Sequence, residues 1–279
     1  FLKLLLRIKY GRGGIAYVNF ILRRLNFHDY LFDNRNKVRF KVKYNDLISM
    51  SILKSGCYEK DSLQLVLKAL QYKPGLFIDI GANFGLYTIY ASKIPGVKTI
   101  AIDGLSESFS LLLNNIEANQ LRDKVTACNL ILSSRQHFAF FGHHDQGNLG
   151  SSRIKNTLRA DVPNQYIVDT TTLDGLLEFI QPDYPVISLI KMDIEGQEYE
   201  VLKNSTLLEK SRPSYLLVEM LDDNENFDKI IDFFKEYQYI PYNIYGTRYE
   251  TGAPIPESNL LFIDSKNLDS LLRVYDIPK

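Results

Sequence analysis

From residue 61 onward, apolar runs of strand length alternate with helix-spaced segments, and this alternation constrains the fold more than any other feature. "DSLQLVLKALQ" spaces Leu63, Val66, Leu67 and Leu70 along one helical face and stops at Pro74-Gly75. The strand "LFIDI" follows, then a helix from Asn83, the strand "VKTIAID", the helix "ESFSLLLNNIEANQ" and the strand "KVTACNLIL". Strands joined through helices pair in parallel, and a parallel sheet must be covered on both faces. Residues 137 to 173 interrupt the rhythm with "HFAFFG", a polar glycine-containing loop and the strand-like "YIVDTTTL", so an insertion is expected there. Strand "VISLIKMDI", helix "EYEVLKN", strand "SYLLVEM" and helix "ENFDKIIDFFKEY" resume the pattern. "YIPYNIY" and "NLLFID" then read as an antiparallel pair at the sheet edge. The expected fold is α/β, a doubly wound, mostly parallel, seven-stranded Rossmann-like sheet.

Residues 1 to 55 stand apart as a basic extension of helix and hairpin. "FLKLLLRIKY" reads as a short helix with Lys3, Arg7 and Lys9 on its polar side. "KVRFKVKY" alternates Val38, Phe40, Val42 and Tyr44 with Lys37, Arg39, Lys41 and Lys43, the pattern of a half-buried strand. Asn45-Asp46 offers a turn into "LISMSIL" as its hairpin partner. Residues 1 to 44 carry eleven Lys or Arg against Asp29 and Asp33, net +9, which leaves the remainder at net −9 within a chain of net charge zero. An acidic core without an N-P-P-Y-type base-methylation tetrad argues against a nucleic-acid partner. The basic segment suits packing on its own domain, or contact with a membrane surface or a partner protein. No apolar stretch approaches a membrane span, and Cys57 and Cys128 form no disulfide framework, so a cytoplasmic protein, membrane-associated at most through its N-terminal segment, is expected.

The stretch "LFIDIGANFGLYT" carries the first chemistry. A dinucleotide turn needs G-x-G-x-x-G, and the aligned positions here are Asp79, Gly81 and Phe84, which would set a carboxylate against a pyrophosphate. The pattern present is D-x-G-x-x-x-G, with Asp79, Gly81 and Gly85. A strand-end carboxylate suits a cofactor bearing positive charge, such as the ammonium and sulfonium of S-adenosylmethionine. Asp103, ending the next strand, stands where an acid would accept both hydroxyls of an adenosine ribose; the alternative is an ordinary turn or helix-capping acid. The expected cofactor-binding set is Asp79, Gly81, Ala82, Asn83, Gly85, Asp103 and Asn129. Further on, "LIKMDIEGQEYEVLKN" puts Lys191, Asp193 and Glu195 at alternate positions, on one side of the strand if the strand runs that far.

On these motifs the chain resembles the FkbM-type S-adenosylmethionine-dependent methyltransferases. The matching pieces are "GCYEKD" at 56 to 61, "FIDIGANFGLYT" at 77 to 88, "NLGSSRI" at 148 to 154, "TTLDGLL" at 171 to 177, "IKMDIEGQEYEVLKNS" at 190 to 205 and "RPSYLLVEM" at 212 to 220. Where the family usually has Glu-Pro after the second strand, this chain has Asp103-Gly104. The resemblance implies a class I methyltransferase domain over residues 56 to 279, and methylation of a hydroxyl, commonly on a sugar of a polysaccharide, glycolipid or glycosylated natural product. A sugar hydroxyl is a weak nucleophile and needs a base for its proton. Asp193, Glu195 and Lys191 form the candidate catalytic group, with His137, His143 and His144 of the insertion ranked below the acids. "HHDQGNLGSSRI" is suited to a sugar-contacting lid, with His143, His144, Ser151 and Ser152 as candidate substrate residues. Magnesium held by Asp193, Glu195 and Asp222 is the less favoured alternative. A non-sugar acceptor (lipid, peptide or small metabolite) and a ligand-binding protein without turnover are the competing readings.

Overall fold

The computed structural model describes residues 30–33, 38–41, 48, 51–52, 57–143, 152–155, 166–180, 186–221, 226–270 and 275. Two short strands, β1 (Tyr30–Asp33) and β2 (Val38–Lys41), precede helix α1 (Lys60–Tyr72). Then β3 (Leu76–Ile80), α2 (Leu86–Ser92), β4 (Lys98–Ile102), α3 (Ser106–Ala118) and β5 (Val125–Cys128) alternate. After β6 (Ile131–Leu132), β7 (Phe138–His143), β8 (Ser152–Lys155) and β9 (Tyr166–Thr171) come α4 (Leu173–Ile180), β10 (Ile187–Met192), α5 (Glu198–Leu202) and α6 (Leu207–Lys210). The last elements that concern the site are β11 (Tyr215–Glu219), α7 (Phe227–Glu236), β12 (Tyr239–Asn243) and β13 (Asn259–Asp264).

Seven strands form the central sheet in the order β5-β4-β3-β10-β11-β13-β12. Pairs from β5 to β11 are parallel, and β13 runs antiparallel to both β11 and β12. The expected closing pair is therefore present, with its later strand tucked inside the earlier one. All five residues of β3 are buried, as a central strand covered on both faces requires. Its alternation divides the core: Phe77 joins the layer under α1, α2 and α3, while Ile78 and Ile80 join the layer under α4 to α7. The chain leaves β3 toward β4 on one side and returns to β10 on the other. The carboxyl ends of β3 and β10 are thus a switch point, where open α/β sheets bind ligands.

The N-terminal segment departs from expectation in its pairing. Val38 and Phe40 are buried as the alternation predicts, but the partner of β2 is β1, and Ile48, Ser51 and Ile52 are helical. The far edge of β2 is taken by the end of α3 and its cap residue Asn119, with amide side chains that act as a substitute strand. Asn119 accepts from Arg39 N (3.0 Å) and donates to its carbonyl (2.6 Å), and Asn115 does the same with Lys41 (2.6 and 3.2 Å). Phe40 packs edge-on against Phe84 at a centroid distance of 5.9 Å, which anchors β2 in the main core. The expected helix at residues 1 to 10 lies outside the described residues. Among those described, no helix is long and apolar enough to cross a membrane.

The expected strand "KVTACNLIL" breaks at Asn129-Leu130 into β5 and β6, which belong to different sheets. The insertion builds the second sheet, in the order β6-β9-β7-β8, and "TTLDGLL" supplies an unpredicted helix, α4. Leu105, Ile131 and Phe141 form a small apolar cluster between this sheet and the main domain.

Fully buried Asn115 also donates to Phe84 O at 2.8 Å, so Asn115→Leu leaves the Lys41 N–H and two carbonyls without a partner. Urea denaturation is expected to register a loss of about 1 to 3 kcal/mol, the usual cost of such orphaned groups.

Candidate active site

The turn after β3 holds its shape through left-handed backbone at Gly81 (φ 80°), Asn83 (φ 51°) and Gly85 (φ 93°). Helix α2 consequently starts at Leu86, three residues later than the pattern predicts. The N–H groups of Gly81 and Ala82 both donate to Ile102 O at 3.0 and 2.9 Å, folding the turn over the end of β4. Gly81 is required by a chain-to-chain approach, because a Cβ there would overlap the backbone carbonyl of Asp193. Asp103 binds the same turn, its carboxylate accepting from Asn83 N at 2.7 Å and from Leu105 N at 2.9 Å. Burial raises its pKa to about 6, against the pull of those two N–H groups. At Gly104 a side chain would run into Ile131, which explains why this chain has no Pro at that position.

Strand β10 ends at Met192, so Asp193 and Glu195 stand on a loop and do not continue the strand face. The loop turns sharply through Glu195 (φ 58°) and Gly196 (φ 91°). Glu198 closes it from inside, one oxygen accepting from Ile194 N at 2.9 Å and from Gly196 N at 3.2 Å. Its other oxygen is buried without a partner, and burial raises the Glu198 pKa to about 7.

Residues of both turns line a cavity of about 350 Å³. One end is lined by the Gly81–Asn83 turn and Asp103 with an apolar arc of Leu105, Leu130, Ile131 and Phe141; the other is lined by Tyr58, Glu59, Tyr87, Asp193, Glu195 and Glu219 around Lys191. Lys191, at the end of β10, is 3% exposed, 2.8 Å from Asp193 and 4.8 Å above the Tyr87 ring. Burial works to lower its pKa, but the carboxylates of Asp193, Asp79 and Glu59 outweigh that and hold the ammonium above its ordinary range. Lys191 is thus a fixed cation that positions Asp193, and it is no proton acceptor at neutral pH. The Tyr87 hydroxyl donates to Glu59 at 2.8 Å. Glu59 begins α1 without capping it: Glu257 accepts from Asp61 N and Ser62 N at 3.3 and 2.8 Å, which releases the Glu59 carboxyl toward the cavity. Burial raises the pKa of Glu59 and, with the nearby Asp193, Glu195 and Glu198 charges, that of Glu219, whose carboxyl also shares a hydrogen bond with Asp193.

The sequence-expected residues divide accordingly. Gly81, Ala82, Asn83, Asp103, Lys191, Asp193 and Glu195 line one cavity. Asp79 and Gly85 sit behind its wall. Asp79 is 1% exposed, accepts from Thr88 Oγ1 at 2.6 Å and is raised by burial despite Lys191 nearby. Gly85 lies against Leu112, and a Cβ there would press to 2.6 Å of the Leu112 Cδ1. Asn129 donates to Asp103 O at 2.8 Å and lines a neighbouring groove with Ser106 and Gln136. His137 is tied into the second sheet, its Nδ1 within 2.9 Å of Arg135 O and 3.0 Å of Thr170 Oγ1. His143 and Ser152 face each other in the β7–β8 register, whereas His144, Ser151 and Asp222 lie outside the described residues. Among the described residues no three acidic, histidine or cysteine side chains are disposed to hold a metal ion.

Residues 79–241 match the family model described as the methyltransferase FkbM domain, more than half of the chain. The chain belongs to the FkbM methyltransferase family. It is an S-adenosylmethionine-dependent methyltransferase with the Rossmann-like sheet of that class. No curated protein matches the sequence. Solved structures of similar shape include the METTL16 methyltransferase domain (TM-score 0.49, 11% identity, covering 90% of this chain and 80% of that one). Others are the Bacillus cereus O-methyltransferase in complex with S-adenosylhomocysteine (0.42, 12%, 92% and 93%) and the Geobacter metallireducens precorrin-6y C5,15-methyltransferase (0.43, 13%, 74% and 88%). At these scores the likenesses carry no argument about acceptor or mechanism.

The cavity fits the cofactor on its own chemistry. Asn83 Oδ1 is buried there without a partner, Asp103 offers carboxylate oxygens beside it, and the apolar arc would cover a flat aromatic base. The acidic lining suits a ligand of net positive charge. Sequence reasoning missed Glu59, Tyr87, Glu198 and Glu219. Glu219 was within reach, since it ends the apolar run "YLLV" at the carboxyl end of a parallel strand, where ligand-facing groups collect.

A raised carboxyl pKa stabilises the fold fully below its unfolded value, and that contribution is lost as pH rises through the folded value. For Glu198 the window runs from about 4.5 to about 7. Glu198→Gln keeps an oxygen for the two N–H groups and removes the titration. Denaturant melts should therefore show the variant gaining about 1 to 3 kcal/mol on wild type between pH 5 and pH 8.

Proposed function

We propose that the protein methylates a hydroxyl group of a sugar in a glycan, glycolipid or glycosylated natural product. The observation that carries this reading is the sharing of one cavity by the cofactor turn and the carboxyls of Asp193, Glu195 and Glu219. A hydroxyl must lose its proton as its oxygen bonds to carbon, and a carboxylate held beside it is a competent acceptor. When bound, S-adenosylmethionine supplies an electrophilic methyl group. The chain's own part is to hold the hydroxyl against that group, keep water out and take the proton.

Asp193 is the proposed proton acceptor, held in place by the Lys191 ammonium at 2.8 Å. Glu195 and Gln197, on and just after the same tight loop, and Tyr58 offer the donors and acceptors that a polyol requires. His137 is not assigned this role because it does not line the cavity. The sugar assignment is supported by the family resemblance and by this polar lining. Incubation with cofactor and a panel of glycans, followed by mass spectrometry, tests it directly: a single methyl increment on a sugar oxygen is expected, and transfer to nitrogen or carbon would refute it.

Two variants separate binding from chemistry. Asp193→Asn should lower turnover about a hundredfold or more while cofactor affinity stays close to wild type. Asp103→Asn should weaken cofactor binding by about 1 to 3 kcal/mol in calorimetry at pH 8. Its deficit should shrink toward pH 5, because the wild-type carboxyl, with a pKa of about 6, takes up a proton over that range and loses the same ribose contact.

A further inference from the structure

Charge in the cavity is unbalanced. Carboxyls of Glu59, Asp103, Asp193, Glu195 and Glu219 line it, against one ammonium, that of Lys191, among the described residues. That ammonium is already engaged by Asp193 and by the Tyr87 ring, and it is 3% exposed. The cofactor brings a sulfonium and an ammonium against one carboxylate, net one positive charge, and Asp103, which follows β4, is separated from Glu219, which ends β11, by β3 and β10. One oxygen of Glu219 is buried in the wall with no partner. Among the described residues, a carboxylate or phosphate entering this end would meet the carboxylates of Asp193 and Glu195 and no cation beyond Lys191, with its hydration lost. An ammonium would be drawn to the carboxylates, and a neutral hydroxyl could bond to a carboxyl in either protonation state.

We propose, resting on the sugar O-methyltransferase reading, that the acidic end selects the acceptor by charge. It takes an amino-bearing sugar ahead of a neutral one, and it excludes sugars carrying a carboxylate or phosphate beside the reacting hydroxyl.

The test uses the methyl glycosides of glucose, glucosamine and glucuronic acid as a series matched in all but one substituent. Each is titrated at pH 7 into protein saturated with S-adenosylhomocysteine, following the melting temperature, and each is assayed separately with labelled S-adenosylmethionine. The amine should bind at least about tenfold more tightly than the carboxylate, with the neutral glycoside between them. The double variant Glu195→Gln, Glu219→Gln should narrow that spread. Binding of the carboxylate as tightly as the amine, or no binding by any of the three, overturns the charge selection. Methyl transfer to the glucuronide in preference to the glucoside overturns it too, while leaving hydroxyl methylation standing. Binding in the expected order without transfer to any hydroxyl does the reverse, sinking the sugar O-methyltransferase reading alone.

Discussion

The approach of two backbones at the switch point governs the architecture of the site. Asp193 N donates to Ile80 O at 3.0 Å, and the Asp193 carbonyl fills the space where any residue but glycine at position 81 would carry its Cβ. With that contact made, the loop after β10 lies directly on the turn after β3. The Asp193 side chain is then thrown toward the cavity, and Lys191, two residues earlier, points across it. Moving the loops apart would separate the cofactor turn from the carboxylates. The glycine that reads as a ligand-binding residue therefore serves the ligand by allowing the protein to touch itself.

Around that contact the site is organised by electrostatics. Lys191 is the hub: buried, paired with Asp193, stacked over Tyr87 and close to Asp79 and Glu59. A lone buried ammonium would be costly, and so would a group of buried carboxylates; together they are mutually supporting. The balance still favours the acids: burial first, and then neighbouring carboxylates, raise the carboxyls of Glu59, Glu198 and Glu219, and the site is suited to ligands bearing positive charge. The same surplus sets the protein's pH response, because its carboxyls titrate where those of an exposed surface would already be ionised.

Much of this was legible in the sequence, in proportion to how local its causes are. The strand-helix alternation gave the sheet and its closing antiparallel pair because burial periodicity is a property of each segment alone. The extent of β10 was not legible, since it ends where Glu198 and the Gly81 turn bend the chain, and both act from outside the strand. The partner of β2 was misread for a similar reason: "LISMSIL" has the composition of a strand, but α3 and its cap had already supplied Asn115 and Asn119 to occupy that edge. Asp103 and Asp193 announced themselves by their place after apolar runs. Glu59 did not, because its release into the cavity depends on Glu257, nearly two hundred residues away.

That distant cap bears on how the molecule is made. Helix α1 is finished by a residue that precedes β13, and β13 is inserted between β11 and β12, which are synthesised before it. During synthesis β11, paired on one side with β10, must therefore keep its other edge open, and β12 must wait without its strand partner and the start of α1 uncapped, until residues 257 to 264 emerge from the ribosome. Pairings of such long sequence separation are slow to form and leave apolar edges exposed meanwhile. The active site, which draws Glu59 from one end of this arrangement and Glu219 from the strand left with an open edge, can become complete only as one of the last events of folding.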